Sequence, residues 1–267
     1  MKRQPGIFIS HGGGPCFWIE FPAPLGPHAF DGLRRYLQTL SSRLPQLPDA
    51  ILIVSGHWEE SSPTVMTSAR PPLLYDYYGF PEHTYTLQYG APGAPQLAAR
   101  VGSLLGEAGI ESREDGARGF DHGVFVPMLM VDPDGRIPVT QLSLQHDLDA
   151  AAHLAIGDAL APLRDENVLI LGSGNSYHNL GEFFDGCGEA SARFDGWLTG
   201  AVTNPDPAMR RESLIHWQKA PAARQCHPRA EHLLPLMVVA GAGGADTACR
   251  DYHDIIGGKA ISGYRFG

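Results

Sequence analysis

Three short apolar runs, at residues 6–10, 50–55 and 168–174, constrain the fold most strongly. They are rich in β-branched residues and lack polar alternation, which is typical of strands buried in a parallel sheet. Helical spacing of apolar residues over 29–44 separates the first two runs and predicts a βαβ unit. Because ligands bind beyond the carboxyl ends of such strands, we expect the functional residues at one edge of the sheet.

The rest of the chain continues this alternation without an internal repeat or a low-complexity linker. We therefore predict an α/β fold: a single domain over 1–267 with a central, mostly parallel or mixed sheet flanked by helices. The remaining predicted elements are helices at 96–108, 124–130, 149–164 and 228–240, a mostly helical segment at 187–222, strands at 137–143 and 260–266, and a Gly/Ala loop at 241–246.

Composition narrows the class of ligand. The formal net charge is -9 and no cluster of Lys or Arg occurs, which argues against nucleic acid or an anionic membrane as partner. The amino-terminal residues lack the apolar core of a signal peptide, and no stretch approaches the roughly 18 apolar residues of a membrane span. Four cysteines lie far apart without CxxC spacing, so reduced thiols are expected. These features predict a cytoplasmic protein with a small-molecule ligand.

Histidine is the residue type that indicates the chemistry. Two histidines directly follow the first two predicted buried strands, and a third follows the run at 168–174. Since imidazole binds transition metals and titrates near neutral pH, the pattern predicts a metal site at the strand ends with an acid/base group nearby. On this reasoning His11 and His57 are ligands, and His178 is either a ligand or the acid/base. The five histidines that lie in short Gly-, Pro- or aromatic-flanked motifs are His11, His57, His122, His178 and His232.

The other histidines are weaker candidates. His232 is preferred to His227 because the helix predicted at 228–240 would turn His232 toward the interior. Asp121 is predicted to cap the helix at 124–130, next to His122. The histidines expected to be solvated or to make local hydrogen bonds are His28, His146, His153, His216 and His253.

Taken together, the motifs resemble the 4,5-DOPA extradiol dioxygenases, within the class III (LigB-type) extradiol ring-cleavage superfamily. Each matching stretch is short, but their order and spacing run almost from end to end of the chain. The stretches are 10–12, 55–58, 71–81, 89–93, 119–123, 172–180, 231–236 and 264–267.

The resemblance implies one mononuclear non-haem Fe(II) or Zn(II) site held by His11, His57 and His232. It also implies that His178 is the catalytic acid/base and that His122 lies beside the metal ligands. Three protein ligands would leave adjacent positions for a catechol and O2. The implied reaction is extradiol cleavage of a catechol, DOPA-like or related, to a muconic semialdehyde-type product in aromatic compound catabolism.

Substrate contacts are expected from aromatic residues in these motifs: Trp58, Tyr75 and Tyr77 are candidates for the wall that binds the ring. Two departures from the family pattern bear on the site. Residues 11–15 read His-Gly-Gly-Gly-Pro where the family commonly has His-Gly-Ser-Pro. Many class III relatives use a carboxylate as third ligand, whereas here that ligand is His232, with Glu231 as the substitute.

Two other functions are compatible with the same residues. A zinc-dependent hydrolase could use three histidines and a bound water, with His178 as proton shuttle. A metal-dependent binding protein without catalysis would need neither His122 nor His178. Consumption of O2 with a catechol separates the dioxygenase from both. For assembly, a monomer or small homo-oligomer is expected.

Overall fold

The computed structural model describes residues 2–184 and 188–267. Its strands form a single eight-stranded sheet in the order β4-β3-β5-β2-β6-β1-β8-β7. The strands are β1 Gly6–Ser10, β2 Ala50–Glu60, β3 Thr64–Met66, β4 Arg113–Asp115, β5 Val139–Gln145, β6 Val168–Gly174, β7 Ala248–Ile256 and β8 Lys259–Phe266. The predicted fold class, an α/β protein with a mixed sheet, is confirmed.

Helices connect most of these strands. They are α1 Asp31–Leu40, α2 Pro95–Glu107, α3 His122–Val131, α4 Ala150–Leu160, α5 Glu189–Val202, α6 Pro207–Ile215, α7 Ala223–Cys226 and α8 Leu234–Gly243. Short 3-10 helices cover Cys16–Trp18, Ser41–Arg43, Glu82–Thr86, Ala161–Arg164 and Trp217–Lys219. Among the residues described, no helix has the length and apolar character needed to cross a bilayer.

The centre of the sheet is parallel. Strands β5, β2, β6 and β1 pair in parallel, whereas β8 pairs antiparallel with β1 and with β7. Ser10 of β1 lies opposite Gly174 of β6, and Ser55 of β2 lies opposite Ser173. The carboxyl ends of β1 and β6 therefore lie beside Ser55 of β2, as the three apolar runs predict, although β2 itself continues to Glu60.

Consecutive residues of β6 show that both faces of the sheet are covered. A side chain at Gly172 would approach the carbonyl of Pro235 in α8 within 2.6 Å. On the opposite face, the Ser173 hydroxyl donates a hydrogen bond to the carbonyl of Gly123 in α3. Neighbouring residues of a strand point to opposite faces, so α8 and α3 lie on opposite sides of the sheet. The candidate site lies at the end of the sheet where both helices begin, since α3 starts at His122 and α8 starts just after His232.

Two predictions around α8 are wrong. The helix begins at Leu234 rather than Pro228, because the carbonyl of His232 accepts a hydrogen bond from the amide of Asn175 (2.9 Å) instead of a helical one. Pro235 then occupies the first turn, where its missing N–H costs nothing. The Gly/Ala stretch expected to be a loop at 241–246 continues the helix to Gly243.

The predicted cap of α3 is also wrong. Asp121 is the residue before the helix, but its side chain makes no capping hydrogen bond. Its buried carboxylate instead accepts hydrogen bonds from the Ser55 hydroxyl (2.8 Å) and the Arg118 guanidinium (2.8 Å). Asp121 therefore links the middle of β2 to the start of α3.

Other boundaries differ by a few residues, and three strands were not predicted. The helix expected over 29–44 is shortened to Asp31–Leu40, and the segment expected to be mostly helical at 187–222 contains α5 and α6, with 187 itself outside the described residues. The unpredicted strands β4 and β7 lie at the two lateral edges of the sheet and are largely exposed, so burial imposes little apolar pattern on them, whereas β3 is buried but only three residues long.

Candidate active site

The ends of β1 and β2 position two of the predicted metal-binding histidines. His11 follows β1 directly, and its amide donates a hydrogen bond to the carbonyl of Gly174 (3.1 Å). His57 lies inside β2, where the register with β5 shifts between Val54 and Glu59. Such an irregularity changes the direction in which a side chain points relative to regular alternation. Here it occurs at His57, at the end of the sheet where β1 and β6 terminate.

The third histidine reaches the same edge through a close backbone approach. A Cβ atom on Gly174 would lie 2.1 Å from the carbonyl oxygen of His232. Because only glycine lacks this atom, the segment before α8 can lie directly on the end of β6. The buried His232 is thereby brought to the ends of β1 and β2.

The rings of His11, His57 and His232 form a compact cluster. The His11 ring centroid lies 4.9 Å from that of His57 and 5.2 Å from that of His232, and the Nε2 atoms of His57 and His232 are 3.1 Å apart. Ligand nitrogens of all three lie within 4.8 Å of one another. Both ring nitrogens of the buried His11 have no hydrogen-bond partner. Buried polar atoms are normally partnered, so this donor set fits a metal ion.

Burial sets the protonation state of the cluster. Desolvation lowers the pKa of His57 to about 4, with the neighbouring His122 acting in the same direction. Burial also lowers the pKa values of His11 and His232 well below the ordinary range. The three imidazoles are therefore neutral at pH 7, which is the form that binds a metal.

Asp76, which was not predicted as a site residue, holds His122 in place and lies close to His57. Its Oδ1 accepts hydrogen bonds from the Nδ1 (2.8 Å) and the backbone amide (2.9 Å) of His122. Its Oδ2 lies 3.6 Å from Nδ1 of His57. Burial opposes ionisation, but these histidine contacts prevail and lower the pKa of Asp76 to about 2. The only sequence signal for Asp76 is its place within the matching stretch 71–81.

Glu231 has the corresponding position on the other side of the cluster. One oxygen, Oε1, lies 2.9 Å from Nδ1 of His232 and 3.2 Å from Nδ1 of His178. The two rings stack with centroids 3.4 Å apart. Burial alone would raise the pKa of Glu231, but the hydrogen bonds from His178 and His232 lower it. A carboxylate can only accept, so Nδ1 of each ring is the donor in these contacts, and Nε2 of each ring faces away from Glu231.

A cavity of about 440 Å³ opens onto this cluster. All five candidate histidines line it, together with the Gly-rich loop and a largely apolar wall. That wall includes Phe21, Leu25, Phe30, Tyr77, Tyr78, Phe80, Tyr177, Leu180, Phe183, Phe184, Ile256 and Ile261. The cavity volume lies in the range of small-molecule sites, roughly 300–1,000 Å³.

Two of the three expected ring-binding residues lie elsewhere. Tyr77 lines the cavity, but Trp58 and Tyr75 are not among its lining residues. The buried Trp58 donates through Nε1 to Glu60 (3.0 Å), and the Tyr75 hydroxyl donates to the carbonyl of Leu87 (2.5 Å). Both contacts are within the protein, and the structure places neither side chain against the cavity. Part of the apolar wall comes from the matching stretches 71–81 and 172–180, and the rest from residues 21–30, 183–184 and 256–261.

The remaining histidines divide differently from the prediction. His227 is buried outside the cluster, with Nε2 3.0 Å from the carbonyl of Ser176. His153, expected near the surface, is also buried and accepts a hydrogen bond from the amide of Gln145 (3.1 Å).

Burial raises the pKa of the Cys226 thiol to about 12, which disfavours a nucleophilic thiolate.

Acidification is expected to destabilise the metal-free protein. The pKa of His57 and that of buried His227 are both lowered to about 4, against 6.5 for an unperturbed histidine. Between these values the unfolded chain binds more protons, so the free energy of unfolding falls as the pH falls, by up to about 1.4 kcal/mol per pH unit and histidine. Urea unfolding of chelator-treated protein at pH 7 and pH 5 measures this slope. His227→Gln should reduce this pH dependence, and His216→Gln, which replaces a surface histidine, should not. If the His227→Gln protein has the same pH dependence as the unmodified protein, the lowered pKa of His227 is contradicted.

Fold and site together define a class: an α/β protein whose strand ends carry a histidine cluster suited to a metal ion, beneath an apolar cavity. The model of one family, described as the catalytic LigB subunit of aromatic ring-opening dioxygenase, matches residues 6–265. The chain belongs to this LigB family. The enzyme class indicated by the sequence motifs, an extradiol ring-cleaving dioxygenase, is thereby confirmed.

Individual relatives agree with the family match. The chain is 38% identical to a 4,5-DOPA dioxygenase extradiol of Beta vulgaris, over 97% of this chain and 95% of that protein. It is 40% identical to a protein of the same name from Portulaca grandiflora, over 90% of this chain and 87% of that protein. Among solved structures, an uncharacterized Escherichia coli K12 protein superposes with a TM-score of 0.79 at 29% identity, over 99% of this chain and 100% of the other.

Proposed function

We propose that this protein binds one Fe(II) or Zn(II) ion through His11, His57 and His232 and cleaves a catechol-type ring with O2. The observation that carries the proposal is the convergence of three neutral imidazoles, one with both ring nitrogens unpartnered, on the floor of an apolar cavity. Family membership decides between the dioxygenase and the zinc hydrolase in favour of the dioxygenase. Bound by these three histidines, Fe(II) would bring the catechol and O2 together and allow electrons to pass between them.

His178 is suited to move the substrate protons. Its Nδ1 faces the Glu231 carboxylate at 3.2 Å, so Nδ1 keeps its proton and Nε2 offers a lone pair. The side chain lines the cavity. In the proposed reaction Nε2 takes a proton from a catechol hydroxyl and returns one to the product as the ring opens.

His122 is suited to a supporting contact. Asp76 holds both its ring and its backbone amide, so the ring has little freedom to turn. The His122 centroid is 3.9 Å from that of His57 and 5.4 Å from that of His11. We assign it a hydrogen bond to O2 or to the substrate beside the ligands.

Both atoms of O2 enter the product, a muconic semialdehyde-type compound, so no external reductant is required.

Oxygen uptake tests this proposal directly. Protein reconstituted anaerobically with Fe(II) is mixed with a panel of catechols, and O2 consumption is recorded together with near-ultraviolet and visible spectra. The expected result is stoichiometric uptake with a yellow ring-opened product. Metal-free protein and the His11→Ala variant serve as controls. Absence of uptake over a broad panel, with iron shown to be bound, would refute the proposal.

Replacement of Glu231 is expected to affect metal binding and turnover together, since its Oε1 contacts both His232 and His178. Supporting carboxylates of this kind typically contribute about 10- to 100-fold to metal affinity or activity. We expect Glu231→Ala to weaken metal binding within that range and to lower kcat further in the metal-saturated enzyme. Metal titration and single-turnover rates measure the two effects. Glu189→Ala, which removes an exposed glutamate at the start of α5, is the matched control. A kcat unchanged at full metal occupancy would contradict the contact with His178.

A further inference from the structure

We infer that Arg229 and Glu59 are positioning residues of the metal site: their ion pair holds the segment that carries His232 against the strand that carries His57. The inference rests on the proposed function, because it takes His57 and His232 as metal ligands. Neither Arg229 nor Glu59 is among the residues of the ligand groups or of the cavity lining. Their role is to keep the two ligands together before a metal ion is bound.

The two ligands lie on parts of the backbone that differ in their support. His57 lies in β2, and Glu59, two residues further along, continues the parallel pairing of β2 with β5. His232 lies instead between α7 and α8, in a stretch (227–233) that forms neither helix nor strand. The amide of Asn175, just after β6, donates to the carbonyl of His232 (2.9 Å) and holds this stretch from one side. A second contact is needed to hold it against β2.

The ion pair between Arg229 and Glu59 supplies such a contact. Nη1 of Arg229 donates to Oε1 of Glu59 and Nη2 donates to Oε2, both at 2.5 Å. A parallel pair of charge-assisted hydrogen bonds fixes orientation as well as distance, and it is the geometry in which an ion pair near the surface contributes measurably. Because Glu59 is held in the sheet, the pair fixes Arg229 relative to β2.

Backbone packing beside the pair brings the same two segments into direct contact. A Cβ atom on Gly56 would lie 3.1 Å from the carbonyl oxygen of Glu231 and 3.3 Å from the Cα atom of His232. The segment therefore lies directly on β2 one residue before His57, and the ion pair joins them two residues after it. Contacts on both sides of His57 thus set the separation of the two ligand-bearing backbones, whose Nε2 atoms are 3.1 Å apart.

Arg229 also faces the carboxylate that supports the histidines. Its Nη1 lies 3.6 Å from Oε2 of Glu231, a buried oxygen that has no hydrogen-bond partner among the residues described. The other oxygen of Glu231 contacts Nδ1 of both His232 and His178. The guanidinium therefore lies between two carboxylates, one on β2 and one that orients the histidine rings, and its charge compensates both.

Contacts outside the cluster have to maintain the convergence of the imidazoles when the metal ion is absent. Ordering the ligands at the moment of binding would reduce the affinity, so a site that is already ordered binds its metal more tightly. Loss of the pair between Arg229 and Glu59 should therefore weaken metal binding and speed metal release, although the ligands themselves are unchanged.

Zn(II) binding tests this inference without any catalytic readout. Competition with a chromophoric chelator gives the Kd, and an excess of chelator gives the dissociation rate of the Zn(II)-loaded protein. We expect Arg229→Gln and Glu59→Gln each to weaken Zn(II) affinity by at least about fivefold, the upper limit for an ordinary exposed ion pair, and to raise the dissociation rate. The double variant should bind no more weakly than Arg229→Gln, because either single change already breaks the pair. Arg229→Lys, which keeps the charge but not the parallel hydrogen bonds, should fall between.

Two variants serve as controls. Asp158→Asn breaks another exposed ion pair, formed with Arg211 at 2.9 Å between α4 and α6. His146→Gln removes a further ionisable neighbour of Glu59, with Nδ1 3.8 Å from its Oε2. Both should bind Zn(II) as the unmodified protein does.

Urea unfolding of the metal-free proteins separates positioning from general stability. A pair with a merely structural role would change the free energy of unfolding in Arg229→Gln and Glu59→Gln but leave the Zn(II) affinity of the folded proteins unchanged. Unchanged affinity in these two variants, or additive losses in the double variant, would overturn the inference. Failure of the unmodified protein to bind Zn(II) or Fe(II) would instead refute the proposed function.

Discussion

Alanine in place of His178 is expected to lower kcat by about 10²- to 10⁴-fold while the protein retains its metal, since a positioned acid/base typically contributes that much. The ring stacks on His232 but holds its Nδ1 toward Glu231, outside the group formed by His11, His57 and His232. Metal analysis and O2 uptake on the same purified sample measure the two quantities separately.

The matched control is His216→Ala, which removes an exposed histidine at the end of α6. It should leave both metal content and kcat unchanged. A His178→Ala protein that loses its metal would identify His178 as a ligand and contradict its assignment as acid/base.

Alanine in place of His57 is expected to have the largest effect on the metal. His57 Nε2 lies 3.1 Å from that of His232, so its loss removes one of three converging nitrogens. Affinity should fall by more than the roughly 10- to 100-fold that loss of a supporting residue costs, and activity should fall with it. Metal analysis after dialysis checks the first effect, and circular dichroism checks that the fold is retained. Retention of a full equivalent of metal would remove His57 from the proposed ligand set.

The central strands could be predicted because burial on both faces leaves a clear pattern. Residues 50–55 and 168–174 are continuous apolar runs, and they pair in parallel as β2 and β6. By contrast, β7 is polar along much of its length and lies at the sheet edge, so its sequence shows no such run. A signal was nevertheless present: Gly257 and Gly258 both have positive φ in the two-residue turn between β7 and β8, and Gly-Gly is typical of such hairpins.

The sequence predicted that histidines would meet at this end of the sheet, but not what surrounds them. His11 and His57 follow recognisable strands, but the position of His232 depends on a hydrogen bond between its carbonyl and the distant Asn175. Local helix signals around Pro228 contain no information on that contact. For the same reason Asp76 was missed, because its role arises only when the loop that carries it folds against His122.

The strand order also has a consequence for the way the protein is made. β6 lies between β1 and β2 in the sheet, although it follows both in the chain. During synthesis, the segments that carry His11 and His57 leave the ribosome long before the strand that joins them. They cannot reach their final separation until residue 174 has emerged, and His232 comes later still. The histidine cluster can therefore be completed only after the chain has been synthesised beyond His232, well after its first two members have emerged.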